Sequence, residues 1–163
     1  MSTLAPLAGP VAALLVAAKQ TVAVAESSAG GLVSAALLAV PGASAYFLGG
    51  SVIYTQAARR QVLRVPDETV RGIRSSTEAY ALLKARTVRA QLGATWGLAE
   101  TGAAGPSGNR YGDAPGHACL AVAGPVERAL TVETGQVDRE ANMWAFARAA
   151  IALLEACIKE NRA

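Results

Sequence analysis

Three short stretches of the sequence contain residues that could bind a ligand or take part in a reaction. The first is "ESSAGG", residues 26–31, which lies between a β-branched run and a helical pattern. The free N–H groups and partial positive charge at the start of a helix suit a phosphate group. Glycines there would let a ligand approach the backbone closely. The simpler interpretation of this motif alone is that a serine caps the helix and the glycines pack it on a sheet.

The second stretch is a long segment rich in glycine and proline. Residues 102–116, "GAAGPSGNRYGDAPG", contain five glycines and two prolines. A segment longer than about 12–15 residues without its own secondary structure is usually functional or disordered. This one follows "LAET", which ends a predicted strand, and α/β sheets commonly bind ligands at the carboxyl ends of strands. A binding loop and a mobile surface loop both fit this composition.

The third stretch combines hydroxyl and cationic side chains. Ser44 lies in the turn "PGAS", and Tyr54 begins "YTQAARR", which ends in Arg59 and Arg60. A serine hydroxyl can act as a nucleophile when a neighbouring base removes its proton. From the residues alone, a serine in a turn and a tyrosine at a strand end have no assigned function.

Alternating helical and extended patterns place these three stretches at the ends of elements. Buried, β-branched or hairpin patterns predict strands at residues 21–25, 49–55, 94–100, 117–123 and 128–134. Apolar spacing and end signals predict helices at residues 9–19, 31–40, 56–63, 75–93 and 138–158, with a helical turn after Pro66. Thr55 is the predicted N-cap of the third helix, and Ser75 with Glu78 forms a predicted capping box for the fourth. The order predicts a single domain over residues 1–163, a three-layer α/β/α sandwich with a mixed sheet.

Composition narrows the class of protein. The chain has 163 residues, 52% hydrophobic and 17% charged, which is typical of a folded domain. The net charge of +3 is spread along the chain, so it permits an anionic ligand but does not indicate nucleic-acid binding. With His117 as the single histidine and two cysteines, Cys119 and Cys157, we expect no metal site, no cofactor and no disulfide framework. We expect no signal peptide and no membrane span, and therefore a cytoplasmic protein.

The three stretches together resemble the C-terminal domain of the CinA family. The segments "VAESSAGG", "VPGASAYFLGGSVIYTQAARRQVLRVP" and "AETGAAGPSG" are similar to the family's A-E-S-C-T-G-G, P-G-S-S-A-Y-F, V-x-Y-S-N-E-A-K and T-G-I-A-G-P patterns. The resemblance covers roughly residues 8–160 and implies the CinA C-terminal fold and a homo-oligomer. It also implies a metal-free serine amidohydrolase that converts nicotinamide mononucleotide to nicotinic acid mononucleotide and ammonia.

By position, the resemblance implies a nucleophile at Ser44, an assisting tyrosine at Tyr54 and Arg59 in place of the catalytic lysine. The implied binding residues for the nucleotide-like ligand are Glu26, Ser27, Ser28, Gly30, Gly31, Thr101, Gly102, Gly105 and Pro106.

The arginine at position 59 leaves two functions open. Lysine can act as a base when burial lowers its pKa, whereas arginine stays protonated in proteins. A tyrosinate at Tyr54 or the imidazole of His117 are the two other bases to consider. Lys19, Lys84 and Lys159 lie in or at the ends of helices away from the motif. The family's Cys-Thr is Ser28-Ala29 here, and Glu100 stands where the family commonly has an apolar or small residue. The sequence therefore predicts either a nicotinamide mononucleotide deamidase-like enzyme or a catalytically inactive relative that binds a nucleotide-like ligand, another anion or a partner protein.

Overall fold

The computed structural model describes residues 3–162 as five strands and five α-helices joined by turns and loops. The strands are β1 (Val22–Glu26), β2 (Phe47–Val52), β3 (Trp96–Ala103), β4 (His117–Ala123) and β5 (Arg128–Glu133). The helices are α1 (Ala5–Ala18), α2 (Leu32–Leu38), α3 (Gln56–Gln61), α4 (Glu78–Leu92) and α5 (Arg139–Arg162). Two 3₁₀ turns, Ala43–Ala45 and Asp67–Val70, precede β2 and follow α3.

The strands form one mixed sheet in the order β2-β1-β3-β4-β5. β1 is parallel to both β2 and β3, and β4 is antiparallel to both β3 and β5. The predicted mixed sheet and the predicted late hairpin are therefore confirmed. The parallel part of the sheet brings the carboxyl ends of β2, β1 and β3 to the same edge.

Helices cover both faces of this sheet. On one face α1, α2 and α5 pack over Val22, Val24 and Leu98 in the main apolar core. On the other face α4 packs over the alternate residues, Ala23 and Ala99 among them. Side chains alternate across a strand, so each strand supplies both cores. This arrangement is the predicted three-layer α/β/α sandwich.

Small residues let α4 lie close to the sheet. A Cβ atom on Gly97 in β3 would stand 2.0 Å from the backbone oxygen of Ala85 in α4. No side chain fits in that space. The glycine therefore sets the distance between α4 and β3, the two elements that support the cleft described below.

Several element boundaries differ from the sequence prediction for identifiable reasons. The first helix begins at Ala5 rather than at residue 9, because Pro6 occupies the first turn, where no N–H donor is required. Thr55 caps α3 as predicted, accepting a hydrogen bond from the N–H of Ala58 at 3.1 Å. The cap of α4 is Thr77 rather than Ser75, since its hydroxyl accepts the N–H of Tyr80 at 3.2 Å.

Two strands are displaced from their predicted positions. β2 begins two residues early, at Phe47, and ends at Val52. β3 continues to Ala103, into the segment predicted to be a loop, because Gly102 and Ala103 pair with Ala118 and His117 of β4. Pairing with a distant strand gives no local signal in the sequence.

The helix α5 is long and apolar enough to cross a membrane by length and composition. In the fold it is a core helix, with half of its most apolar stretch buried inside the protein. Its inward face contains Phe146, Ala150, Leu154 and Ile158, all fully buried against the sheet and α1. The composition of this helix therefore reflects the core of the domain.

Candidate functional site

A cleft of about 450 Å³ opens at the carboxyl ends of the three parallel strands. Ser27 follows β1, Thr101 lies near the end of β3, and Tyr54 follows β2. Ligands of open α/β sheets bind at this edge, and small-molecule sites commonly have volumes of about 300–1,000 Å³. The remaining lining residues are Ile53, Thr55, Gln56, Arg59, Val70, Ile73, Arg74, Ser75, Ser76, Tyr80, Gly102, Asn109, Arg110 and Tyr111.

The structure brings together five of the residues implied by the family resemblance. Tyr54, Arg59, Ser27, Thr101 and Gly102 line the cleft. Their positions in the sequence span 76 residues, and the parallel pairing of β1 with its two neighbours is what joins them.

Ser44 lies elsewhere in the chain's fold. It is exposed on the turn Ala43–Ala45, before β2, whereas Tyr54 comes after β2. The six residues of β2 span roughly 20 Å. Within one chain, Ser44 therefore does not line the cleft that contains Tyr54 and Arg59. A spacing of ten residues looks local in the sequence, but a strand separates its two ends.

The turn after β1 directs Ser27 and Ser28 to different environments. The carboxylate of Glu100 accepts the N–H groups of Ser27 at 2.8 Å and Ala29 at 2.9 Å. The hydroxyl of Ser28 donates to the same carboxylate and is buried. Within residues 3–162 the hydroxyl of Ser27 has no hydrogen-bond partner, and Ser27 lines the cleft. Ser27 can therefore contact a ligand, whereas Ser28 supports the turn.

Glu26 occupies the helix start that the sequence suggested for a phosphate. Its fully buried carboxylate accepts the N–H groups of Gly31, Val33 and Ser34 at 2.8–3.1 Å, together with the hydroxyl of Ser34. These are the N–H groups that a phosphate would need. Glu26, Gly30 and Gly31 therefore shape the start of α2, and the cleft lining does not include them.

Arg59 is fixed within the protein rather than directed at a ligand. Only 4% of the residue is exposed, and its guanidinium donates to the carbonyl of Val65 at 2.6 Å and to Asp67. Arg60 also donates to Asp67, at 2.8 and 2.9 Å. The two arginines hold the pKa of Asp67 at about 2. Arg59 thus anchors the 3₁₀ turn Asp67–Val70 beside the cleft.

The predicted binding loop does cover the cleft, through residues that the resemblance did not single out. Asn109, Arg110 and Tyr111 belong to the lining, and Arg74 faces them from before α4. The guanidinium of Arg74 lies 5.0 Å from the centroid of the Tyr111 ring, and that of Arg110 lies 5.8 Å from it. Two cations and an aromatic ring therefore form one rim of the cleft.

An ion pair holds that loop in place. Asp113 accepts from Arg74 at 2.7 and 3.1 Å and from the amide of Asn109 at 2.7 Å. These hydrogen bonds lower the pKa of Asp113 to about 2. The loop is thereby fastened to the segment that precedes α4.

Gly105 and Pro106 are not among the residues that line the cleft. Gly105 is buried with a φ of 109°, and its carbonyl accepts from Arg139 at 2.6 Å. The same arginine donates to the hydroxyl of Tyr54 at 3.1 Å, so it connects the loop to the tyrosine. Pro106 is exposed. The two residues contribute to the position of the loop rather than to the cleft surface.

His117 is unavailable as a base. Its Nδ1 contacts the carboxylate of Glu133, and its Nε2 lies 2.9 Å from the carbonyl oxygen of Ser76. Both partners are acceptors, so both ring nitrogens carry hydrogens. Burial lowers the pKa of His117, but the bonds to Glu133 and Ser76 more than offset this effect and raise it. Among residues 3–162, no group of three or more His, Cys, Asp or Glu side chains could hold a metal ion.

Lys84 lies closer to the site than the sequence suggested. The side chain is fully buried, and its Nζ donates to the carbonyl of Glu100 at 2.9 Å. Burial lowers its pKa from 10.5 to about 8, although Glu100 and Glu26 oppose the shift. The sequence signal that could have indicated this contact is a lysine on the inward face of a helix, because a buried charge needs a partner.

A second hollow of about 460 Å³ lies at the surface beside Arg60, Arg64, Pro66, Asp67 and Glu68. Its central charges, Arg60 and Asp67, are already paired with each other. The cleft at the strand ends, which combines hydroxyl, aromatic and cationic groups, is therefore the better candidate for a ligand site.

The fold is that of an α/β protein with a cleft at the carboxyl ends of its parallel strands. The family model described as the CinA C-terminal domain matches residues 4–158. The chain belongs to this family.

Curated relatives agree with the family model. The chain is 44% identical over 119 residues to a CinA-like protein of Desulfosudis oleivorans and 38% identical over 138 residues to one of Synechococcus sp. strain RCC307. The matches cover 73% and 85% of this chain but 29% and 33% of those proteins. The chain therefore spans about a third of the length of these curated relatives.

Solved structures share the whole fold. A competence-damaged protein (CinA) superfamily protein from Klebsiella pneumoniae superposes with a TM-score of 0.89 at 28% identity, covering 98% of this chain and 99% of that one. A competence/damage inducible protein from Agrobacterium tumefaciens gives a TM-score of 0.85 at 29% identity, with 96% and 99% covered.

Proposed function

We propose that the cleft binds a mononucleotide, with nicotinamide mononucleotide as the first candidate, and that it does so without hydrolysing it. The charge of the lining carries this proposal. Its ionic side chains are Arg59, Arg74 and Arg110, and among the described residues that line the cleft there is no carboxylate, imidazole or lysine amine. Such a lining favours an anion and lacks these three common bases. The phenol of Tyr54, which accepts a hydrogen bond from Arg139, is the remaining group that was considered as a base.

The other lining groups match the remaining parts of a mononucleotide. Tyr111 offers an aromatic ring at the cationic rim, against which a planar base can stack. The hydroxyls of Ser27 and Thr101 can hydrogen-bond to ribose or to a carboxamide. Phosphate recognition falls to Arg110, because Arg59 is committed to Val65 and Asp67 and Arg74 is paired with Asp113.

Calorimetric titration of nicotinamide mononucleotide into the wild type and two arginine variants tests this assignment. Arg110→Gln should weaken binding roughly tenfold or more, because a hydrogen bond to a charged group is lost. The matched control is Arg162→Gln, at the exposed end of α5 and far from the cleft in the fold, which should leave the affinity unchanged. Equal affinities for the two variants would argue against a phosphate site at Arg110.

The second candidate function is hydrolysis of the carboxamide, as the family resemblance implies. The observation in its favour is that the hydroxyl of Ser27 faces the cleft without a hydrogen-bond partner. Attack by its Oγ on the amide carbon would release ammonia, and water would then hydrolyse the ester. The proton of the hydroxyl needs an acceptor, and Arg59 cannot serve as one.

Ammonia release from nicotinamide mononucleotide separates the two functions. We expect no turnover above background for the wild type. Turnover that Ser27→Ala abolishes would establish the enzyme and contradict the proposed function. Turnover lost in Ser44→Ala instead would assign the nucleophile to the residue that the family resemblance implies. A gain of activity in Arg59→Lys would show that the missing base is the reason for the lack of hydrolysis.

A further inference from the structure

We propose that Glu100 and Lys84 form a positioning pair that holds the turn at residues 27–29 so that Ser27 faces the cleft. Both residues are buried, and the cleft lining includes neither of them. Their effect on a ligand would act through the turn. The inference rests on the proposed function in one respect, namely that Ser27 contacts the ligand.

Glu100 contacts three successive residues of this turn. Its Oε2 accepts the N–H groups of Ser27 and Ala29, and its Oε1 accepts the hydroxyl of Ser28. An ionised carboxylate accepts hydrogen bonds at both oxygens, so all three donors are satisfied together. A glutamine oxygen could still accept the two N–H groups, with its NH₂ group toward the hydroxyl of Ser28, but it carries no negative charge. The arrangement therefore favours a carboxylate, because hydrogen bonds to a charged acceptor are stronger.

Lys84 joins the main chain at Glu100 to α4. Its Nζ donates to the backbone carbonyl of Glu100, and the same ammonium lies 5.8 Å from the centroid of the Tyr80 ring, which lines the cleft. The side chains of Lys84 and Glu100 are 0% and 1% exposed. A buried carboxylate without an opposite charge nearby would be strongly destabilised. The ammonium of Lys84 attracts this carboxylate electrostatically and is hydrogen-bonded to the main chain of the same residue.

Glu26, the last residue of β1, is a second buried carboxylate with which Glu100 can be compared. Its carboxylate is also buried and also accepts backbone N–H groups, but those belong to Gly31, Val33 and Ser34 at the start of α2. Glu26 therefore fixes the helix, whereas Glu100 fixes the turn that carries Ser27. Each carboxylate therefore accepts the N–H groups of a different part of the segment between β1 and α2.

The test compares amide hydrogen exchange and ligand affinity in four variants. Glu100→Gln and Lys84→Met should each raise the exchange rates of the Ser27 and Ala29 amides in the free protein and raise the dissociation constant for nicotinamide mononucleotide, by roughly tenfold for Glu100→Gln. The double variant should be less impaired than the two single effects combined, because neither buried charge is left unpaired. The control is Leu154→Ala in the core beneath α5, which lowers global stability but should leave both readouts unchanged.

The outcomes remain informative if a variant is unstable or the ligand does not bind. Ser28→Ala removes one donor to Glu100 and should raise the exchange of the Ser27 and Ala29 amides by a smaller factor even if Glu100→Gln does not fold. If the wild type does not bind the ligand, the proposed function fails, and amide exchange alone decides whether Glu100 holds the turn. The inference would be overturned if the exchange rates of these amides rose no more in Glu100→Gln and Ser28→Ala than in Leu154→Ala.

Discussion

The two buried cations near the cleft have different partners and different chemistry. Arg59 is held by Val65 and Asp67, on the side of the cleft formed by α3 and the turn after it. Lys84 is fully buried and donates to the backbone carbonyl of Glu100. Arginine cannot release its proton, while the pKa of Lys84 lies near 8 because of burial. A titratable amine is therefore present in the domain, but behind the cleft surface.

The titration of Lys84 predicts a change of stability with pH. Its folded-state pKa of about 8 is below its ordinary value of 10.5, despite the carboxylates of Glu100 and Glu26 and the ring of Tyr80 around it. Between these two pH values the unfolded chain keeps a proton that the folded protein has released. The free energy of unfolding contributed by this group should therefore rise with pH, by an amount on the order of a few kcal/mol.

Urea unfolding at pH 7.5 and pH 10 measures this contribution when the wild type is compared with Lys84→Met. Cysteines and tyrosines titrate in both proteins and cancel in the difference. The wild type should gain stability relative to the variant at the higher pH. If the wild type and Lys84→Met differed in unfolding free energy by the same amount at both pH values, the lowered pKa of Lys84 would be contradicted.

At the scale of elements, the close packing of α4 on β3 is the feature on which the Glu100–Lys84 contact depends. Gly97→Ala would place a methyl group 2.0 Å from the backbone oxygen of Ala85. Since neither backbone can move freely, the substitution should cost about 1–3 kcal/mol of unfolding free energy. Gly9→Ala in α1 is the control, because a Cβ there meets nothing within 4 Å, and it should stabilise the protein by about 0.5–1 kcal/mol. Chemical denaturation of both variants measures these effects, and equal stabilities would contradict the packing argument.

The sequence predicted the elements well where the signal was local. The buried run at residues 21–25 matches β1, Val22–Glu26, and Gly93 ends α4 in a left-handed conformation as its type suggests. The prediction was wrong where a distant part of the chain determines the structure. One example is the extension of β3 to Ala103, which depends on pairing with β4. The same holds for the cleft. Local motifs singled out Ser27 and Tyr54, which line it, but they gave no sign of the hydrogen bond from Lys84 to Glu100.

At the scale of the whole molecule, the parallel half of the sheet provides the site and the antiparallel half supports it. β2, β1 and β3 bring Tyr54, Ser27 and Thr101 to one edge, while β4 extends β3 and anchors the end of the binding loop. Ser44 lies at the opposite end of β2. The architecture thus separates the serine implied by the family resemblance from the serine that lines the cleft.

Recognition of a mononucleotide phosphate by this cleft can be tested by one calorimetric comparison of two ligands. Nicotinamide mononucleotide and nicotinamide riboside, which lacks the phosphate, are titrated separately into the wild-type protein. Arginines at the rim predict saturable binding of the mononucleotide and binding of the riboside that is at least roughly tenfold weaker. Equal affinities for the two ligands, or no binding of the mononucleotide, would contradict the account.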